Sequence, residues 1–170
     1  MKYTSAEAAK LLRKLNEEQS ALKDRENKSS QFIAAIEEDI ESVRPAYDYE
    51  GTQNRLAELE RQVRTVKHAI NSFNLTTAVP GFDMTIDQML IYIPQLNERK
   101  RKLTEMAACL PKERANASGY GARTIVEYRY ANYDIAKVSA DLEKVTDELS
   151  RAQTALDVVN NSSTIEIDLG

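Results

Sequence analysis

Apolar residues recur along most of this chain at alternating steps of three and four, the period that lines one side of a helix. The row is cleanest in Leu56, Leu59, Val63, Val66, Ile70 and Phe73, and nearly as regular in Val138, Leu142, Val145, Leu149, Ala152, Leu156 and Val159. A third run carries Met89, Ile93, Leu96, Leu103 and Met106. The N-terminal run has two rows: Ala8, Leu15, Leu22, Ser29, Ile36 and Val43, beside Leu12, Gln19, Glu26, Ile33 and Ile40. In its middle, KDRENKSSQ, Glu26 and Ser29 stand where apolar knobs belong, so a kink, a frayed turn or a change of partner is expected there.

Caps and breakers convert these rows into elements. Thr4 with Glu7, and Thr85 with Gln88, have the spacing of capping boxes, in which each side chain satisfies a free amide of the first turn. Pro45, Pro80-Gly81, Pro111 and Asn160-Asn161 interrupt the pattern. Four helices are predicted, at about 5–44, 52–73, 86–110 and 134–160, the last capped by Asp134. Pro94 lies inside the third and removes one of its hydrogen bonds, which predicts a kink. RTIVEYRY alternates β-forming residues, and a short strand is expected from Arg123 to Tyr130. A second is expected from Thr164 to Leu169, where Ile165, Ile167 and Leu169 alternate. The expected fold is mainly α: an elongated antiparallel helical bundle or coiled coil in one domain over residues 1–170, with short β elements.

Helix length carries a further expectation. Forty residues at about 1.5 Å each make the first helix a rod of roughly 60 Å, nearly twice the second. Its apolar row would overhang the bundle, and the same row of a second copy is the economical cover, so a homo-oligomer is expected. The alternative is a break between Asp24 and Ser30 with the chain folding back on itself.

Composition narrows the chemistry. Trp is absent, and one Cys (Cys109) and one His (His68) are too few for a zinc site. No phosphate-binding glycine loop, dinucleotide fingerprint or G-x-S-x-G elbow is present, and Thr65 stands where a Glu-x-x-His di-iron motif needs its Glu. His68 reads as a surface or boundary residue, Cys109 as an idle thiol, and Glu37, Glu38, Asp39 and Glu41 as a solvated face. No cofactor is expected, and no enzyme. The opening MKYTSAEAAKLLRK lacks the apolar core of a signal peptide, and no later stretch is apolar enough to span a bilayer, so a cytoplasmic protein is expected.

Charge is unevenly spread. Of 23 basic and 27 acidic residues, residues 99–137 hold nine and four, a balance of +5 against −9 elsewhere. Four of the eight tyrosines lie in the same stretch. Arginine offers a planar cationic fork for phosphate, and tyrosine a ring face for a base. The candidate ligand-binding residues are therefore Arg99, Arg101, Lys112, Arg114, Tyr120, Arg123, Tyr128, Arg129, Tyr130 and Tyr133, with Ser118-Gly119-Tyr120-Gly121 giving a loop of close approach. They suit a small anionic aromatic ligand such as a nucleotide. Extended nucleic acid fits less well, because the net charge is −4 and such proteins carry a broad positive field.

VKHAINSFNLTT, MTIDQMLIYIPQLNERKRKLTEM, VEYRYANYDI and RAQTALDVVNNSSTIEID resemble a family of bacterial and phage helical proteins whose members are sometimes named septicolysin. The shared pattern runs from about Leu11 to Asp168 and includes an I-N-x-x-N turn at Ile70 to Asn74 and a closing L-D-x-x-x-N at Leu156 to Asn160. The resemblance implies an α-helical oligomer and brings no catalytic residues. The function expected is that of a non-enzymatic oligomeric binding protein that captures a nucleotide-like anion. One form would be a phage sponge that sequesters an immune signalling nucleotide of the cyclic ADP-ribose class. A coiled-coil scaffold or adaptor that binds a protein partner is the alternative.

Overall fold

A computed structural model describes residues 1–115 and 126–170. The protein is mainly helical, as the apolar periodicity predicts, with short antiparallel strands. In chain order the elements are β1 (Lys2–Thr4), α1 (Ser5–Ser29), α2 (Ile40–Val43), α3 (Tyr49–Thr76), α4 (Ile86–Ala107), β2 (Lys112–Arg114), β3 (Tyr128–Tyr130), α5 (Ile135–Ser162) and β4 (Thr164–Glu166). The sequence reads as one domain, whereas residue contacts gather into two compact units. Residues 1–77 and 158–170 form the first, and residues 78–157 the second. Most of α5 belongs to the second unit and its last residues to the first.

In the first unit α1 and α3 run antiparallel, with Glu18 and Gln19 facing Arg55 and Glu60 across the pair. Ala8, Leu15, Leu59, Val66, Ile165 and Ile167 form its buried cluster. β1 and β4 pair antiparallel, Lys2 opposite Glu166 and Thr4 opposite Thr164. The Ile167 amide donates to the Met1 carbonyl at 2.9 Å and extends this pairing by one step. Because strand residues alternate between faces, Ile165 and Ile167 both point inward, 4% and 2% exposed.

The first helix is shorter than predicted. A single helix over 5–44 is not formed: α1 ends at Ser29, residues 31–39 are not helical, and α2 is one turn. The polar gap in the apolar row explains the position of the break. Glu26 takes hydrogen bonds from the Tyr47 hydroxyl at 2.7 Å and the Gln53 amide at 2.6 Å, which ties the end of α1 to the start of α3. Beyond that point α3 offers α1 no further surface to pack on. α3 begins three residues earlier than predicted because the Asp48 carboxylate caps it, accepting from the Gly51 amide at 3.0 Å.

In the second unit α4 and α5 run antiparallel, with Ile86, Met89 and Leu96 buried on one and Val138, Val145, Leu149 and Ala152 on the other. Both predicted capping boxes are present, at Thr4 and Thr85. The Asp134 carboxylate caps α5, accepting from Ala136 and Lys137. Pro80-Gly81 forms the predicted turn, closed by the Phe82 amide donating to Val79 at 3.1 Å, with Gly81 at φ +78° where a β-carbon would be strained. α4 continues through Pro94 and ends at Ala107, short of the predicted 110. Because Thr85 satisfies the Gln88 amide and Gln88 satisfies that of Thr85, Thr85→Ala should cost about 1 kcal/mol, read as a fall in urea midpoint at unchanged m-value.

The strand predicted over Arg123–Tyr130 is realised only at Tyr128–Tyr130: Val126 and Glu127 precede it, and residues 123–125 lie outside the described residues. The terminal strand stops at Glu166 rather than Leu169. Their partners β1 and β2 were not predicted, since three-residue strands of mixed composition carry no period of their own.

Candidate functional site

β2 and β3 pair with Lys112 opposite Tyr130, Glu113 opposite Arg129, and Arg114 opposite Tyr128. Two flanking hydrogen bonds fix the pattern of the pairing: Ala115 donates to Glu127 at 2.9 Å and Ala131 to Pro111 at 3.2 Å. In an antiparallel ladder, hydrogen-bonded and non-hydrogen-bonded pairs alternate, so Lys112/Tyr130 and Arg114/Tyr128 are the non-hydrogen-bonded pairs. Their side chains share one face and stand closer than those of the other pairs. That face carries two cations and two tyrosines.

Contacts on the face follow from this register. The Lys112 ammonium sits 4.1 Å from the centre of the Tyr128 ring and 5.5 Å from that of Tyr130, within reach of the negative ring faces. The two rings lie 6.5 Å apart at 53°. Tyr128 is 46% and Tyr130 61% exposed, so both rings keep surface on which a flat group can stack. Nothing within the described residues neutralises Lys112 or Arg114, whereas Glu113 and Arg129 stand opposite each other on the reverse face.

The structure sorts the other candidates. Arg101 is not part of the face: its guanidinium is held by Glu98 and Glu105, each at 2.6 Å, along the exposed side of α4. These acids raise the Arg101 pKa, and Arg101 in turn lowers that of Glu98. Arg129 lies on the opposite side of the hairpin. Tyr133 serves structure, its hydroxyl donating to the Met106 carbonyl at 3.0 Å near the end of α4. The neighbouring Cys109 thiol, together with partial burial, pushes the Tyr133 pKa up. Tyr120, Arg123 and the Ser118–Gly121 loop lie outside the described residues.

Arg99 belongs to a different feature, a groove of about 490 Å³ between α4 and α5. Lys102 and Lys144 line it as well, with Asp141 and Glu148, over a floor of Leu103, Met106 and Val145. Lys144 is paired with Asp141 at 3.3 Å, and Glu148 accepts from the Tyr92 hydroxyl at 2.6 Å. That bond raises the Tyr92 pKa, because losing the phenolic proton would set two anions side by side. Lys102, Lys144, Glu148 and Tyr92 were not among the sequence candidates. Their signal was present in the steps of three and four that place residues 99, 102, 103 and 106 along one side of a helix, but it shows only once the partner helix is known.

His68 is exposed on α3 and Cys109 is exposed beyond α4, its thiol 3.4 Å from the Glu105 carbonyl. Among the described residues no group of His, Cys, Asp and Glu is placed to hold a metal ion. No helix among them is long and apolar enough to cross a membrane.

No family model matches this chain, and neither does any curated protein. A solved structure does resemble it: a "functionally unknown conserved protein from Corynebacterium diphtheriae", with a TM-score of 0.58 and 17% sequence identity over 98% of this chain and 100% of that one. At that identity the likeness establishes a shared fold and nothing about activity.

Proposed function

We propose that this protein is a non-enzymatic binding protein that captures an anionic, nucleotide-like small molecule on the Lys112–Tyr130 face of the β2–β3 hairpin. The observation that carries the reading is the register, which sets Lys112, Arg114, Tyr128 and Tyr130 side by side on one exposed face. Each part matches one part of a nucleotide. Lys112 and Arg114 supply charge-assisted hydrogen bonds to phosphate, and the tyrosine rings supply a stacking surface for the base. Two adjacent cations suit a diphosphate better than a single phosphate.

Capture alone needs no nucleophile or general base, and sequestration is a role that this face can fulfil without further chemistry. A signalling nucleotide of the cyclic ADP-ribose class has both a base and a diphosphate, and is the ligand to test first. The resemblance to septicolysin-named bacterial and phage proteins fits such a setting. A thermal-shift panel of ADP, ADP-ribose, cyclic ADP-ribose and inorganic phosphate tests the reading. Base-bearing diphosphates should raise the melting temperature more than phosphate does, because only they engage the rings. Equal responses to all four would leave only unspecific anion binding and reject the proposal.

A further inference from the structure

The groove between α4 and α5 lies within the second compact unit and takes no part in the hairpin face. Its charges are unequally satisfied. Both acids that line it are engaged: Asp141 pairs with Lys144 at 3.3 Å, and Glu148 accepts from the Tyr92 hydroxyl at 2.6 Å. Arg99 and Lys102, three residues apart on the α4 wall, are exposed and form no ion pair among the described residues. Arg99, Lys102 and Lys144 against Asp141 and Glu148 leave the groove one positive charge in excess. Below these groups the surface is apolar. Val145 is buried, and Leu103 and Met106 are half-buried, so part of each still faces the groove. At about 490 Å³ the space falls within the roughly 300–1,000 Å³ of small-molecule sites. Among the described residues that line it there is no aromatic ring, so a base finds nothing here to stack on.

We propose that this groove binds an aliphatic monocarboxylate of medium chain length, its carboxylate held by Arg99 and Lys102 and its chain laid over Leu103, Met106 and Val145. Charge selects the head group. One excess positive charge suits a monoanion, and the carboxylates of Asp141 and Glu148 oppose a second negative charge on the ligand. The guanidinium fork of Arg99 matches the two oxygens of a planar carboxylate, and Lys102 adds a point charge beside it. The floor selects the tail. Along α4 the cations at 99 and 102 precede the apolar side chains at 103 and 106, so head and tail of one molecule meet them in turn. Residues 99 to 106 span about 10 Å of helix, the scale of a medium-length acyl chain. This inference does not depend on the nucleotide reading, since neither the tyrosine rings nor the cations of the hairpin face take part.

Calorimetric titration of the full chain with octanoate, acetate and octyl glucoside separates the contributions of head and tail. Octanoate should bind saturably at one site per chain, at least about tenfold tighter than acetate, which lacks the tail, and than octyl glucoside, which lacks the charge. Arg99→Gln/Lys102→Gln should weaken octanoate at least about tenfold and leave thermal unfolding unchanged, since both side chains are exposed. Arg101→Gln, one turn away but held by Glu98 and Glu105, should bind octanoate as the wild type does. Tyr128→Ala/Tyr130→Ala should also leave octanoate binding intact, which keeps this site distinct from the hairpin face. The absence of saturable heat from octanoate overturns the proposal. So do equal affinities for octanoate and either control compound, or an affinity that Arg99→Gln/Lys102→Gln leaves unchanged.

Discussion

Leu59→Ala should destabilise the protein by about 3 kcal/mol, a large share of the roughly 5–15 kcal/mol that holds a typical domain folded. Leu59 is fully buried in α3 and shares its cluster with Ala8 and Leu15 of α1, Val66 of α3, Ile165 of β4 and Ile167 just beyond it. Truncation removes apolar atoms from this site and leaves a cavity that three separate stretches of chain would have to close together. Such a site collapses poorly, which keeps the cost within the usual range for a buried leucine rather than below it. In urea the midpoint should fall without a change in slope, and the melting temperature should drop by about 10 °C. Leu75→Ala supplies the contrast: this side chain is 60% exposed, and its loss should cost less than about 0.5 kcal/mol.

The second large effect concerns binding. Tyr128→Ala/Tyr130→Ala should weaken ADP-ribose binding about 100-fold, because each stacked ring contributes about 1–3 kcal/mol and 1.4 kcal/mol is a factor of ten. Lys112→Glu should be comparably severe, since it replaces a cation of the proposed phosphate site with an anion. All three residues are exposed, so folding should be little altered, and an unchanged circular dichroism spectrum will show it. Arg101→Ala and Arg129→Ala separate the face from the general charge of the region. Arg101 is engaged by Glu98 and Glu105, and Arg129 lies on the other side of the hairpin, so both variants should bind within about twofold of wild type. Calorimetric titration of each variant checks these expectations.

What could be read from the sequence was what is decided locally. Thr4 and Thr85 act within three residues, and the Pro80-Gly81 turn within four, so the residues alone specify them. The apolar rows gave the helices of the bundle for the same reason. The end of α1 was harder, because it depends on where α3 begins, and that is set by Asp48 capping and by Glu26 receiving Tyr47 and Gln53. The β1–β4 pairing joins residues 160 to 164 positions apart, and three-residue strands leave no trace of such a partner.

The candidate site divides along the same line. Its composition, basic residues interleaved with tyrosines, was plain in the chain. Which of those residues share a face was not, because register assigns faces: Lys112 and Arg114 join Tyr128 and Tyr130, while Arg129, one position from each tyrosine, is turned away. Arg101 was separable in principle, since Glu98 and Glu105 stand three and four residues from it on the same helix. The α4–α5 groove could be seen only after the two helices were set side by side.

Isothermal titration of the wild-type protein with ADP-ribose, repeated with ribose 5-phosphate, which lacks the base and the diphosphate, tests nucleotide capture by the β2–β3 face most directly. ADP-ribose should bind saturably with one site per hairpin, at least about tenfold tighter than ribose 5-phosphate, and added salt should weaken it. The contrary result would be no saturable heat from ADP-ribose, or affinities for the two compounds that do not differ.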